Sequence, residues 1–136
     1  MSLSNFDVWI NLNSPIKWRK LSLSVPGVET LSPNGLPSIF IDHNNAILIS
    51  YVEEYEEGDP PVIKYRIQFI YSLTAGNIWS EPKLVVSDID LCNPAIIVDY
   101  TNRIFIYYFK SDLPYQCYSK DFGNTWEGFT EVKEEV

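Results

Sequence analysis

Asn93-Pro94-Ala95-Ile96-Ile97-Val98-Asp99-Tyr100-Thr101-Asn102-Arg103-Ile104-Phe105-Ile106-Tyr107-Tyr108 is an apolar, β-branched run, a short polar break with Asn, and a second apolar run. The same design occurs earlier, in Leu36-Pro37-Ser38-Ile39-Phe40-Ile41-Asp42-His43-Asn44-Asn45-Ala46-Ile47-Leu48-Ile49-Ser50-Tyr51. Each stretch reads as a β-hairpin whose strands are buried on both faces. Pro37 and Pro94 stand at the first residue of the first strand, where a missing N–H costs the ladder least. Self-similarity of this kind marks a repeat architecture.

A second shared element follows each hairpin. Ser119-Lys120-Asp121-Phe122-Gly123-Asn124-Thr125-Trp126 has the form S-x-D-x-G-x-T-W. Ser72-Leu73-Thr74-Ala75-Gly76-Asn77-Ile78-Trp79 matches it at Ser72, Gly76 and Trp79, with Thr74 in the place of Asp121. The Ser119–Trp126 octet resembles the Asp box, or bacterial neuraminidase repeat, of sialidases and related β-propellers. That resemblance implies a turn between the third and fourth strands of a propeller blade. The chemistry suits a turn: an Asp carboxylate bonds backbone N–H groups two residues on. Gly123 and Gly76 supply positive φ, and Trp126 and Trp79 open the next strand with a large packing face. Asp121 is therefore expected to be structural, not a catalytic acid. A degraded third copy precedes these two, with Trp18 followed by Arg19–Val25 and with Asn11, Asn13 and Pro15 replacing Ser, Asp and Gly.

The period-2 patterns predict strands near 6–11 and 17–25, then 36–42, 46–53, 62–72 and 78–86, then 93–99, 103–110, 114–119 and 125–132. The fold class expected is all-β, with two four-stranded antiparallel units and a partial third. The single domain divides into a degenerate partial repeat at 1–33, a unit at 34–88 with its box at 72–79, and a unit at 89–136 with its box at 119–126. The acidic run Glu53–Asp59, with Gly58 and followed by Pro60 and Pro61, predicts an inserted surface loop, either functional or merely solvated. Propellers typically have ~4–8 blades, so two and a half units do not close a ring. Self-association is expected, with a cyclic trimer giving the six blades typical of sialidases.

Composition removes several function classes. The chain has 136 residues and a net charge of −8, so the Lys- and Arg-driven neutralisation of phosphates is weak and nucleic acid is not an expected partner. No apolar run approaches the ~18–20 residues of a membrane span, and Met1–Asn11 lacks the basic and apolar regions of a signal peptide. Cys92 and Cys117 have no zinc-like spacing; they read as small apolar strand residues or as one disulfide.

The resemblance to sialidases places the ligand face at the loops entering strand one and joining strands two and three. That face would carry Asn34, Gly35, Asp88, the ligand-binding candidates Asp90, Asn93 and Asp112, and the stacking rings of Tyr55 and Tyr115. The family also requires three converging arginines, a Tyr nucleophile with its Glu, an Asp acid/base, and an R-I-P run. Gly35-Leu36-Pro37 stands where that run belongs; Arg103 falls in a hairpin turn and Arg19 and Arg66 in outer strands. No catalytic residue is assigned. The lone His43 is a turn residue beside Asn44 and Asn45, without a nucleophile or zinc ligands. No cofactor is expected, although Ca2+ suits the carboxylates of the Glu53–Asp59 run. The leading expectation is a non-catalytic module that binds a neutral glycan or a protein partner. The alternative is a fragment or divergent member of a glycoside hydrolase, whose catalytic residues come from other blades; a pocket lined by converging Arg, Tyr and Glu would favour it.

Overall fold

The computed structural model describes residues 4–10, 19–25, 30–31 and 36–133. Every regular element among them is a strand. β1 (Ser4–Ile10) and β2 (Arg19–Val25) form an antiparallel pair. β4 (Ser38–Ile41), β5 (Ile47–Glu57), β6 (Val62–Ser72) and β7 (Lys83–Asp88) make a four-lane antiparallel sheet. The short β3 (Thr30–Leu31) pairs with Glu53 and Glu54 and so extends the lane of β4 along β5. β8 (Cys92–Val98), β9 (Ile104–Lys110), β10 (Leu113–Ser119) and β11 (Glu127–Glu131) form a second four-stranded antiparallel sheet. Asn11, Asn13, Pro15, Trp18, Asn34 and Gly35 lie outside the described residues.

The two hairpins predicted from the repeat are both present, and their turns are built alike. Asp42 Oδ1 accepts the N–H groups of Asn44 and Ala46 at 2.8 and 2.9 Å. Asp99 Oδ1 accepts those of Thr101 and Arg103 at 2.9 and 3.0 Å. Asn45 and Asn102 take the left-handed conformation at φ 62° and 65°, which Asn tolerates better than most residues. This explains the Asn in both polar breaks.

Three expectations are corrected. The Glu53–Glu57 run is not a loop: β5 continues through Glu57, and a four-residue turn with a cis Asp59–Pro60 bond returns the chain into β6. Cross-strand cations allow it, because Glu57 pairs with Lys64 at 2.8 Å and the buried Glu53 pairs with Arg66. Arg66 consequently lies in an inner lane, between β5 and β7. Strand four of the first sheet begins at Lys83, not 78, since Trp79–Pro82 makes only the single ladder contact from Ser80 N–H to Tyr71 O, 2.8 Å.

The third correction concerns burial. β5 is buried on both faces from Ile47 to Glu53, as expected, but β9 alternates. One face of the first sheet, carrying Leu48, Val52, Ile67 and Phe69, packs against Ile96, Ile104, Ile106, Tyr108 and Cys117 of the second. Each fully buried side chain of this size contributes roughly 1.5–3 kcal/mol. Ser38 Oγ accepts the Ile96 N–H across the junction at 3.1 Å. The outward face of the second sheet carries Ile97, Phe105, Tyr107 and Phe109, and Ile97 and Phe109 are 43% and 42% exposed.

Candidate binding site

The second octet forms a closed hydrogen-bonded turn. Ser119 Oγ accepts the N–H groups of Asp121 (3.3 Å) and Gly123 (2.7 Å) and donates to Asp121 Oδ1 (2.8 Å). Asp121 in turn accepts the Thr125 N–H at 2.8 Å and the Thr125 hydroxyl at 2.5 Å. The Asp thus reaches four residues on, and the Ser takes the nearer donor that the sequence reading gave to the Asp. These donors hold the Asp121 carboxyl down to about 2, with the Thr125 hydroxyl the largest cause. A carboxylate so held is ionised at neutral pH and closes the turn.

The first octet keeps this geometry with weaker chemistry. Ser72 Oγ accepts the N–H groups of Thr74 and Gly76 at 3.3 and 2.9 Å. Thr74 Oγ1 accepts the Ile78 N–H at 2.7 Å, in the role that Asp121 has toward Thr125. Gly76 and Gly123 have φ 88° and 87°, each after a left-handed residue, Ala75 or Phe122. The indole N–H of Trp79 donates to Gly76 O at 2.9 Å and that of Trp126 to Gly123 O at 3.2 Å. Both rings are therefore fixed in orientation.

Of the residues expected at the ligand face, most gather where the ends of the two sheets meet. Lys110 Nζ is 2.7 Å from Asp88 Oδ2 and 5.7 Å from the centre of the Tyr115 ring, which stacks on Tyr108 at 5.9 Å. Lys110 holds the Asp88 carboxyl below its usual range. Asp90 Oδ2 accepts the Ser111 N–H at 3.0 Å beside Asp112, and Asn93 and Asp112 are exposed at φ 50° and 64°. Tyr55 departs from this group. It pairs across the ladder with Lys64, whereas Glu54 pairs with Tyr65, so strand alternation sends Tyr55 to the opposite face of the first sheet. There it lies under Arg66, whose guanidinium carbon is 4.6 Å from the ring centre. Tyr55 and Tyr115 do not share one pocket.

Arg66 also pairs with Glu53, and Tyr51 lies within electrostatic reach of both. This brings together Tyr, Glu and Arg, but Tyr51 and Glu53 are wholly buried, and burial pushes the Tyr51 phenol up. Among the described residues no three of His, Cys, Asp and Glu are placed to hold a metal ion. Cys92 and Cys117 are free thiols. No described helix is long and apolar enough to cross a membrane.

An open cavity of about 270 Å3 lies on the other side of the first sheet's ladder end, at the first octet. Tyr71, Leu73, Thr74, Ile78, Trp79 and Ser80 line it. Leu73 and Ile78 form an exposed apolar lip, at 67% and 70%. Ser80 Oγ accepts the Tyr71 N–H at 3.0 Å, which leaves its hydroxyl proton to donate. The sequence signal for this cavity was the mismatch itself: Leu73 and Ile78 are apolar where the second octet has Lys120 and Thr125.

No family model and no curated protein matches the chain. A solved structure described as a protein of unknown function from Dyadobacter fermentans DSM 18053 is similar, with a TM-score of 0.54 and 12% identity. The match covers 91% of this chain and 41% of that one, so this chain spans well under half the length of its structural relative. At that identity the likeness concerns the fold alone.

Proposed function

We propose that this chain is a non-catalytic binding module of the sialidase-like propeller type, with its two four-stranded sheets as blades, completed by association with further copies of itself. One observation carries the reading. By the repeat, Phe40, Leu48, Val52 and Tyr71 of the first sheet correspond to Ile97, Phe105, Phe109 and Tyr118 of the second. The former set belongs to the face on which the second sheet packs, and the latter set lies on a face left partly open. A surface repeated in sequence but met only once within the chain suits a heterologous contact with another copy, made to a surface other than the Ile47–Tyr51 side of β5, which is already buried. Three chains of two blades would give six, within the ~4–8 of known propellers.

The face where the sheet ends meet supports binding rather than bond cleavage. Its ion pair, Asp88 with Lys110, is internally neutralised, and in the Tyr51–Glu53–Arg66 group the phenol and the carboxylate are both buried, with only Arg66 reaching solvent. A glycoside hydrolase needs two carboxylates facing one substrate, one of them holding a proton. Asp88, held low by Lys110, does not meet that need. The ligand expected is a neutral glycan or a protein.

Light scattering after size exclusion tests the assembly. Three 15.7 kDa chains per particle are expected, with Ile97→Lys and Phe109→Lys variants reduced to single folded chains. A wild-type monomer would overturn self-association and favour a fragment of a longer propeller.

A further inference from the structure

The two octets have the same backbone path but differently filled surroundings. In the second, Lys120 Nζ is 3.1 Å from Glu127 Oε1 and 5.7 Å from the centre of the Tyr118 ring, so the pair lies across that ring. By the repeat, Leu73 stands for Lys120, Ser80 for Glu127 and Tyr71 for Tyr118. The register agrees: Glu127 is the cross-strand partner of Tyr118, and Ser80 bonds Tyr71 through its backbone. Replacing the Lys–Glu pair by Leu and Ser removes two long side chains and both charges. The cavity at the first octet lies at the positions where that exposed pair has no counterpart.

We propose that this cavity is a binding site for one neutral pyranose ring. The site is nearly apolar, with the Trp79 ring fixed by its indole hydrogen bond, the Tyr71 ring held by Phe69 and Phe122, and no charged side chain in its lining. Ordinary small-molecule sites begin near ~300 Å3, so about 270 Å3 suits a single ring and not an extended oligomer. A sugar ring has an apolar C–H face that an indole covers well, and hydroxyls at its edge that need partners. Ser80 Oγ, already accepting from Tyr71, has a proton to donate at that edge. An aliphatic peptide side chain would use the rings but leave this donor idle. An anionic sugar would find no cation here. The inference rests on the reading of the chain as a binding module, and it places the ligand away from the face where the sheet ends meet.

The test uses the full chain labelled with 15N, following indole and backbone amide signals while methyl β-D-glucopyranoside or methyl β-D-galactopyranoside is added. A Trp79→Phe variant identifies the Trp79 signal. Titration of that signal is expected with at least one glycoside and not with N-acetylneuraminic acid. Leu73→Lys with Ser80→Glu restores the filled arrangement of the second octet; it should weaken binding at least tenfold while melting temperature and assembly mass stay unchanged. Binding that survives the double variant, or an unmoved Trp79 signal, overturns the site. Glycoside shifts confined to Asp90, Asn93, Asp112 and Tyr115 overturn the site but leave the module reading standing. Response to N-acetylphenylalaninamide without response to either glycoside overturns the sugar and favours an apolar peptide. A monomer without any glycoside response removes both the inference and the self-association on which the proposed function stands.

Discussion

Gly123 sits against the edge of the Phe69 ring, so closely that a Cβ built there would lie 2.6 Å from Phe69 Cδ1. The turn of the second sheet is thus keyed to β6 of the first. Phe122 and Trp126, on either side, meet the same ring edge-on at 6.3 and 5.8 Å. Gly123→Ala adds overpacking to a φ of 87° and should destabilise the chain by about 3 kcal/mol. Urea unfolding followed by circular dichroism measures it, and an unchanged midpoint would show that the two sheets can separate at little cost.

Asp121 links the turn to pH. Its folded value is about 2 against an ordinary 3.8, so the folded state favours the ionised form. The stability it contributes is complete above the ordinary value and is lost as pH falls through the folded one. Asp121→Asn should therefore lower the melting temperature at pH 6, and the gap from wild type should narrow between pH 4 and 2. A gap constant across that window would mean that the Thr125 contacts do not depend on the charge.

How much of this was legible in the sequence follows from what each signal depends on. Hairpins at Ile39–Tyr51 and Ile96–Tyr108 are local, and alternation with Asn in the turn announces them. The Glu53–Glu57 strand was hidden because its carboxylates are acceptable only opposite Lys64 and Arg66, and those partners are known only once register is known. Expected together at the strand ends, Tyr55 and Tyr115 are separated by parity: Tyr55 falls in step with Glu53, on the side of the first sheet away from the second. The cavity beside Trp79 is lined by Leu73 and Ser80 where the second octet has Lys120 and Glu127, a difference that no motif announces.

Arg66 guards a buried charge. Glu53 is 0% exposed, and removing the guanidinium leaves its carboxylate in the interior. Arg66→Ala should cost about 3–5 kcal/mol, whereas Lys64→Ala, at the exposed Glu57, should cost under about 1 kcal/mol. Equal urea midpoints for the two variants would contradict the burial of Glu53.

The thiols should separate by reactivity. Cys117 is buried and burial pushes its thiol up to about 12, while Cys92 is partly exposed at the start of β8. Since the thiolate is the reactive form, a disulfide reagent at pH 8 should titrate Cys92 alone in the folded chain and both after guanidinium unfolding. Prompt reaction of both in the folded chain would place Cys117 nearer to solvent.

The hairpin of the first sheet outgrows its counterpart without disturbing it. β5 and β6 have 11 residues each, against 7 each in β9 and β10, yet Ile47 faces Ser72 as Ile104 faces Ser119. Growth by an even number in both strands keeps every inward side chain inward. Length at this tip is therefore decoupled from the body of the fold, in the way a graft is decoupled from its rootstock. Residues around Gly58–Pro61 could be shortened, lengthened or exchanged for a different loop while the ladder beneath keeps its alignment.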